Sequence, residues 1–137
     1  MKSARLILSA LLIYATVAVA AVPTFSRHER LLQAIEQVES RGNAKAVGDN
    51  GRAIGPFQIW RSYWQDAVEH DKNIGGRYED CFDKEYAKRI VLAYWDRYAP
   101  KNATDEQLAR IHNGGPKGHR NPKTLEYWTK VKRELLK

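Results

Sequence analysis

Apolar residues recur along this chain in two rhythms: an almost unbroken run at the start, then a helical repeat. From Leu6 to Val22 only Ser9, Tyr14 and Thr16 interrupt the run. Further on, Leu31, Leu32, Ile35 and Val38 share one face of a helix over about residues 28–41, with Gly42 as its stop. Residues 43–53 are rich in Gly, Asn and Asp, and Asp49-Asn50-Gly51 between Val47 and Ile54 predicts a short irregular hairpin. Gly55-Pro56 breaks the chain, and a second helix is expected from Phe57 to about His70, bearing Phe57, Trp60, Tyr63, Trp64 and Ala67. Residues 73–78 read as a loop. Asp83 caps a third helix running to Ala99 and ended by Pro100, with Tyr86, Ile90, Val91, Tyr94 and Tyr98 inward. Thr104 with Gln107 makes a capping box for a fourth, to about His112, which Asn113-Gly114-Gly115-Pro116 terminates. Asn121-Pro122 opens a fifth, with Leu125, Trp128, Val131 and Leu135 inward. The expectation is a mainly α (α+β) fold, five helices around one core, with a small β-hairpin between the first and second.

The leading apolar run follows the basic stretch Met1-Lys2-Ser3-Ala4-Arg5 and ends in the small residues Ala18-Val19-Ala20. That order reads as a secretory signal peptide over residues 1–21, cleaved near Ala20 or Ala21; a membrane anchor is the rival, but the run falls just short of a bilayer span. The remaining 22–137 make one small domain, exported to the extracellular space or, in a Gram-negative bacterium, the periplasm. Cleavage removes Lys2 and Arg5 and no acid, taking the net charge from +7 to +5. A basic exported protein is drawn to anionic polymers such as cell wall or acidic glycans. The basic residues are scattered except at 117–123 and 130–137, which disfavours nucleic acid as a partner. Cys81 is the only cysteine, so no internal disulfide forms, and a buried thiol is the expected role.

Two carboxyls draw attention. At about 100° per residue Glu39 falls inside the apolar arc of the first helix and Glu36 at its edge. A carboxyl there loses hydration and faces the negative end of the helix dipole, conditions that suit a general acid. Asp49, on a hydrated turn, suits a second carboxylate that stays ionised, although Asp-Asn-Gly is also an ordinary turn sequence. Trp60, Tyr63, Trp64, Tyr94 and Trp95 offer flat faces on which sugar rings stack, one or two of them in a cleft and the rest in the core. His112-Asn113 stands at a helix end beside Gly114-Gly115, where a polar group can hold a hydroxyl or acetamido group or simply cap the helix. The four histidines lack zinc-ligand spacing, and no Gly-rich phosphate loop is present, so neither a metal, a cofactor nor a nucleotide is expected.

Three blocks in order, Val38-Glu39-Ser40, Gly55-Pro56-Phe57-Gln58-Ile59 with Ser62-Tyr63-Trp64, and Arg110-Ile111-His112-Asn113-Gly114-Gly115-Pro116 with Thr124-Leu125-Glu126-Tyr127-Trp128, resemble the lysozyme superfamily, most closely the invertebrate-type (destabilase) lysozymes. The resemblance implies a muramidase that hydrolyses the β-1,4 bond between N-acetylmuramic acid and N-acetylglucosamine in peptidoglycan. It makes Glu39 the general acid and Asp49 the second carboxylate, the latter one residue closer to Gly55-Pro56-Phe57 than in the family. Gln58, Tyr63, His112 and Asn113 would line the substrate cleft. Some family members also cleave isopeptide bonds with a Ser/His pair, for which Ser62 and His112 are the candidates. The animal proteins are cystine-dense, whereas this chain has one cysteine. The Glu-Ser and Phe-Gln-Ile blocks are shared with lytic transglycosylases, which use Glu39's equivalent alone and release 1,6-anhydro products. A non-catalytic cationic wall binder is the alternative of another class.

Overall fold

The computed structural model describes residues 28–137, so the expected signal peptide lies outside the described residues. Five α-helices carry the fold: α1 Glu29–Ser40, α2 Arg61–His70, α3 Lys84–Tyr98, α4 Asp105–Gly114 and α5 Leu125–Leu135. Between α1 and α2 three two-residue strands, β1 Val47–Gly48, β2 Ala53–Ile54 and β3 Ile59–Trp60, form an antiparallel sheet in the order β1-β2-β3. The α-plus-small-β expectation therefore holds, with one strand more than a hairpin. Among the described residues no helix is long and apolar enough to cross a membrane.

The extra strand corrects the expected second helix, which starts at Arg61 rather than Phe57. Gln58 takes φ +49, a left-handed conformation that no helix interior accommodates, and Ile59 pairs with Ile54 instead. Trp60 thus ends a strand, 40% exposed, rather than facing the core from a helix. Phe57 is fully buried all the same, from the turn that precedes β3. Gly55 makes that turn feasible at φ +76, where a Cβ would run into the carbonyl oxygen of Cys81.

Elsewhere local chemistry chose the boundaries. Asp83 caps α3 by accepting from the Tyr86 amide, and Thr104 with Gln107 closes the expected capping box on α4. The start of α5 shifts to Leu125, because Asn121-Pro122 opens a single 3-10 turn, Pro122–Thr124, first; Leu125 is consequently exposed rather than inward. A further 3-10 turn, Tyr78–Phe82, follows the 73–78 segment expected as loop.

The core gathers Leu31, Leu32 and Ile35 of α1, Ile90 and Val91 of α3, Ile111 of α4 and Val131 of α5 around Phe57, Ile59 and Cys81. Burying each such aliphatic or aromatic side chain contributes about 1.5–3 kcal/mol. Helices α1 and α5, the first and last, pack against each other, and Arg30 donates to the Leu135 carbonyl at 3.1 Å. Cys81 is fully buried, and burial pushes its thiol up to about 12. A thiol-directed maleimide at about pH 8, where a free thiol is partly ionised, should leave native Cys81 unmodified and label it promptly once the chain is unfolded. Prompt labelling of the native protein would contradict this placement.

Candidate active site

Helix α1 ends one residue after Glu39. Arg41 turns left-handed at φ 54 while its amide still bonds the Gln37 carbonyl, and Gly42 follows at φ 80. Ser40 fixes this end to the sheet region by donating to the Pro56 carbonyl at 2.8 Å. Glu39 is thereby held in a last helical turn over the Gly55-Pro56 turn, with its side chain 18% exposed. The expected burial order of the two α1 carboxyls is reversed. Glu36 is the deeper one, covered by the start of α3 and paired with Lys84 at 2.6 Å, whereas Glu39 opens onto a cleft. Angular position on an isolated helix did not register where α3 would lie.

That cleft is a cavity of about 550 Å³, and all six residues singled out in the sequence line it: Glu39, Asp49, Gln58, Tyr63, His112 and Asn113. Asp49 arrives from the 3-10 turn Asp49–Gly51 between β1 and β2. It and Asn50 both sit in the left-handed region, at φ 49 and φ 56, which short polar side chains tolerate better than most. The carboxylate is exposed, and its Oδ2 accepts from the Trp60 indole N–H at 3.0 Å. Arg52 donates to the Asp49 carbonyl at 3.0 Å and lies 4.8 Å over the Trp60 ring, so strand β3 and the turn brace each other.

Gln58 is committed mainly to the loop. Its amide donates to the carbonyls of Gly55 at 2.9 Å and Ala46 at 3.3 Å, and its Oε1 fills the space where a Cβ on Gly48 would stand. Tyr63 from α2 stacks on Tyr94 from α3, centroids 3.6 Å apart, and with Trp60 they give the cleft its aromatic surface. Trp64 is half-buried and Trp95 buried outside it.

The buried ring of His112 ties three elements together. Nε2 lies 3.1 Å from the Phe57 carbonyl, and Nδ1 lies 3.1 Å from the Tyr63 hydroxyl. A carbonyl can only accept, so Nε2 carries a hydrogen and donates to Phe57, while Nδ1 shares the second hydrogen bond with the Tyr63 hydroxyl. Nε2 also stands 3.5 Å from Glu39 Oε1. Ser62 is exposed at the cavity rim, and the hydrogen bonds of both His112 nitrogens go to Phe57 and Tyr63 rather than to it. Asn113 is exposed at the rim, where its amide is open to a ligand.

Sequence reasoning missed one partner of Glu39. Tyr127 of α5 donates its hydroxyl to Glu39 Oε1 at 2.7 Å. Its ring had stood out only as part of a Tyr-Trp motif, 88 residues away from the carboxyl it touches. Burial, then the nearby Glu39 charge, pushes the Tyr127 phenol well above its ordinary range; burial first and then Tyr94 and Glu39 do the same for Tyr63. Both therefore remain O–H donors at any working pH.

Comparison with known proteins places this arrangement. The sequence model of the Destabilase family matches residues 28–134. A "Lysozyme" of Ostrea edulis is 42% identical over 91 residues, 62% of this chain and 64% of its own length. A second, from Magallana gigas, is 42% identical over 58% of each chain. This chain thus spans less than two thirds of either relative. "Invertebrate-type lysozyme 6" of Caenorhabditis elegans is 35% identical over 74% of this chain and 82% of its own. Among solved structures, the Tapes japonica lysozyme superposes with a TM-score of 0.64 at 33% identity, covering 77% of this chain and 88% of that one. The Meretrix lusoria lysozyme, solved in complex with Aeromonas hydrophila PliI, gives 0.65 at 30% identity with the same coverage. A three-strand sheet between the first two of five helices, a glutamate closing the first helix, and these matches along nearly all the described residues lead to one conclusion: the chain belongs to the Destabilase family, the invertebrate-type lysozymes.

Proposed function

We propose that this protein is a secreted muramidase that hydrolyses the β-1,4 bond between N-acetylmuramic acid and N-acetylglucosamine in bacterial peptidoglycan. The observation that carries the reading is the inequality of two carboxyls lining one cavity. Glu39 is mostly buried and backed by Tyr127 and His112, whereas Asp49 is exposed on its turn. Two carboxyls in unlike surroundings divide acid and base roles between them.

In the proposed mechanism Glu39 protonates the glycosidic oxygen as the bond to the anomeric carbon breaks, and the bonding pair leaves with that oxygen. Asp49, ionised, stabilises the positive charge growing on the sugar or traps the anomeric carbon covalently. A water then attacks that carbon and gives its proton to the Glu39 carboxylate, restoring the acid. Trp60, exposed, offers a face for a sugar ring, Tyr63 and Tyr94 form an aromatic wall of the cleft, and Asn113 offers its amide to an acetamido or hydroxyl group. Gln58 and His112 shape the cleft from beneath.

A lytic transglycosylase is the second reading, favoured by the tether between Asp49 and Trp60, which leaves Glu39 as the one carboxyl with buried support. Purified peptidoglycan digested by the protein decides between them. Hydrolysis is expected to clear the turbidity and release reducing muropeptides of full mass. Products lighter by one water would identify the 1,6-anhydro sugar and overturn the hydrolase reading.

A further inference from the structure

We infer that Tyr127 is a positioning residue for the acid: by holding Glu39 Oε1, it reserves Oε2 as the oxygen that carries the catalytic proton. This rests on Glu39 being the general acid. The two polar contacts that reach the carboxyl fall on the same atom, Tyr127 Oη at 2.7 Å and His112 Nε2 at 3.5 Å, both on Oε1. Among the described residues no hydrogen bond or ion pair reaches Oε2. An oxygen that already accepts from the Tyr127 hydroxyl, with the His112 ring beside it, is a poor place for a proton, so the proton resides on the other. The hydroxyl is a donor throughout, because burial and the Glu39 charge both oppose its ionisation.

The contact also acts differentially along the reaction. A phenol bonds a carboxylate more strongly than a protonated carboxyl, so Tyr127 gains strength as Glu39 hands its proton from Oε2 to the glycosidic oxygen. The same bond keeps Oε2 oriented to take a proton back from water. His112 alone cannot do this. Its Nε2–H points first at the Phe57 carbonyl, and its distance to Oε1 is the longer of the two.

The test is Tyr127→Phe, which keeps the ring and deletes the hydroxyl, assayed on soluble peptidoglycan oligosaccharides across pH. The titratable groups around the carboxyl are His112 from α4, Tyr127 from α5, Tyr63 and Asp66 from α2, Tyr94 from α3, and Asp49 across the cavity. Only Tyr127 changes. Loss of one hydrogen bond to a charged group predicts a fall in kcat of roughly 10–100-fold, with KM within about twofold. The alkaline limb of the profile should move to higher pH, since the acid keeps its proton longer once the donor that favours the carboxylate is gone. Tyr86→Phe is the control. It deletes a hydroxyl that accepts from Trp64 and donates to the Gly75 carbonyl, away from the cleft, and should lower thermal stability without moving the profile. Where Phe at 127 lowers the melting temperature, both proteins are compared at a temperature at which both are folded.

A Tyr127→Phe protein with the parent's kcat and pH limbs, whatever its melting temperature, would overturn the inference. Glu39→Gln, run alongside, separates the two levels. Normal turnover in that variant sinks the assignment of Glu39 as the acid. An inert Glu39→Gln beside a fully active Tyr127→Phe sinks only the role given to Tyr127.

Discussion

Glu39→Gln is expected to slow peptidoglycan lysis by roughly 10²–10⁴-fold, the usual weight of a general acid, with folding and wall binding nearly unchanged. The substitution is close to isosteric and keeps an oxygen that accepts from Tyr127, so the packing at the end of α1 persists. What it removes is the proton that an amide cannot supply to a leaving oxygen. The change alters net charge by one in a chain of formal charge +7, too little to weaken electrostatic attraction to an anionic wall. A protein that acts on bacteria through its charge alone would therefore behave identically after the substitution. Turbidity clearance measured together with a co-sedimentation assay separates the cases. Unchanged clearance would mean that the protein is a cationic binder and that the cleft performs no chemistry.

Asp49→Asn should produce the second large effect, a loss of roughly 10²–10³ in kcat, comparable to removing one preorganised electrostatic contact at a developing charge. Asn is the informative replacement here rather than Ala. Position 49 sits at φ 49, which Asn tolerates and Ala resists, and an amide oxygen can still accept from the Trp60 indole. The variant thus removes the charge while keeping the turn, and circular dichroism melts should match the parent. A loss of activity with an intact melt is the signature of a hydrolase that needs a second carboxylate. Retention of most of the activity would instead assign the reaction to Glu39 alone, as in a transglycosylase, and product mass would agree.

The general plan was legible in the sequence because its determinants are local. Asp83 before Lys84 and Thr104 before Asp105 are caps that act within three residues, and both helices begin where these caps place them. All six candidate site residues do line one cavity, because the motifs that carry them converge at the end of α1, the sheet and the end of α4. What escaped depends on partners distant in sequence. Trp60 looked helical by spacing, but pairing of Ile59 with Ile54 and the left-handed Gln58 drew it into a strand, where its indole meets Asp49. Glu36 looked like an edge residue until α3 arrived with Lys84. Tyr127 is the clearest case, since no local rule links a residue of the last helix to a carboxyl of the first.

The contact between the outermost helices sets the order in which this molecule becomes competent. Glu39 precedes its hydroxyl partner by 88 residues, so the carboxyl waits for every segment between them. The bond forms only when α5 docks on α1, a long-range closure that carries a loop-entropy cost the local helices do not. Release of α5 from α1 would therefore part the Tyr127 hydroxyl from the Glu39 carboxyl. The fold thus couples the cleft to helix docking: a molecule opened between α1 and α5 keeps its sheet and the other cleft residues but loses the Tyr127 contact to Glu39.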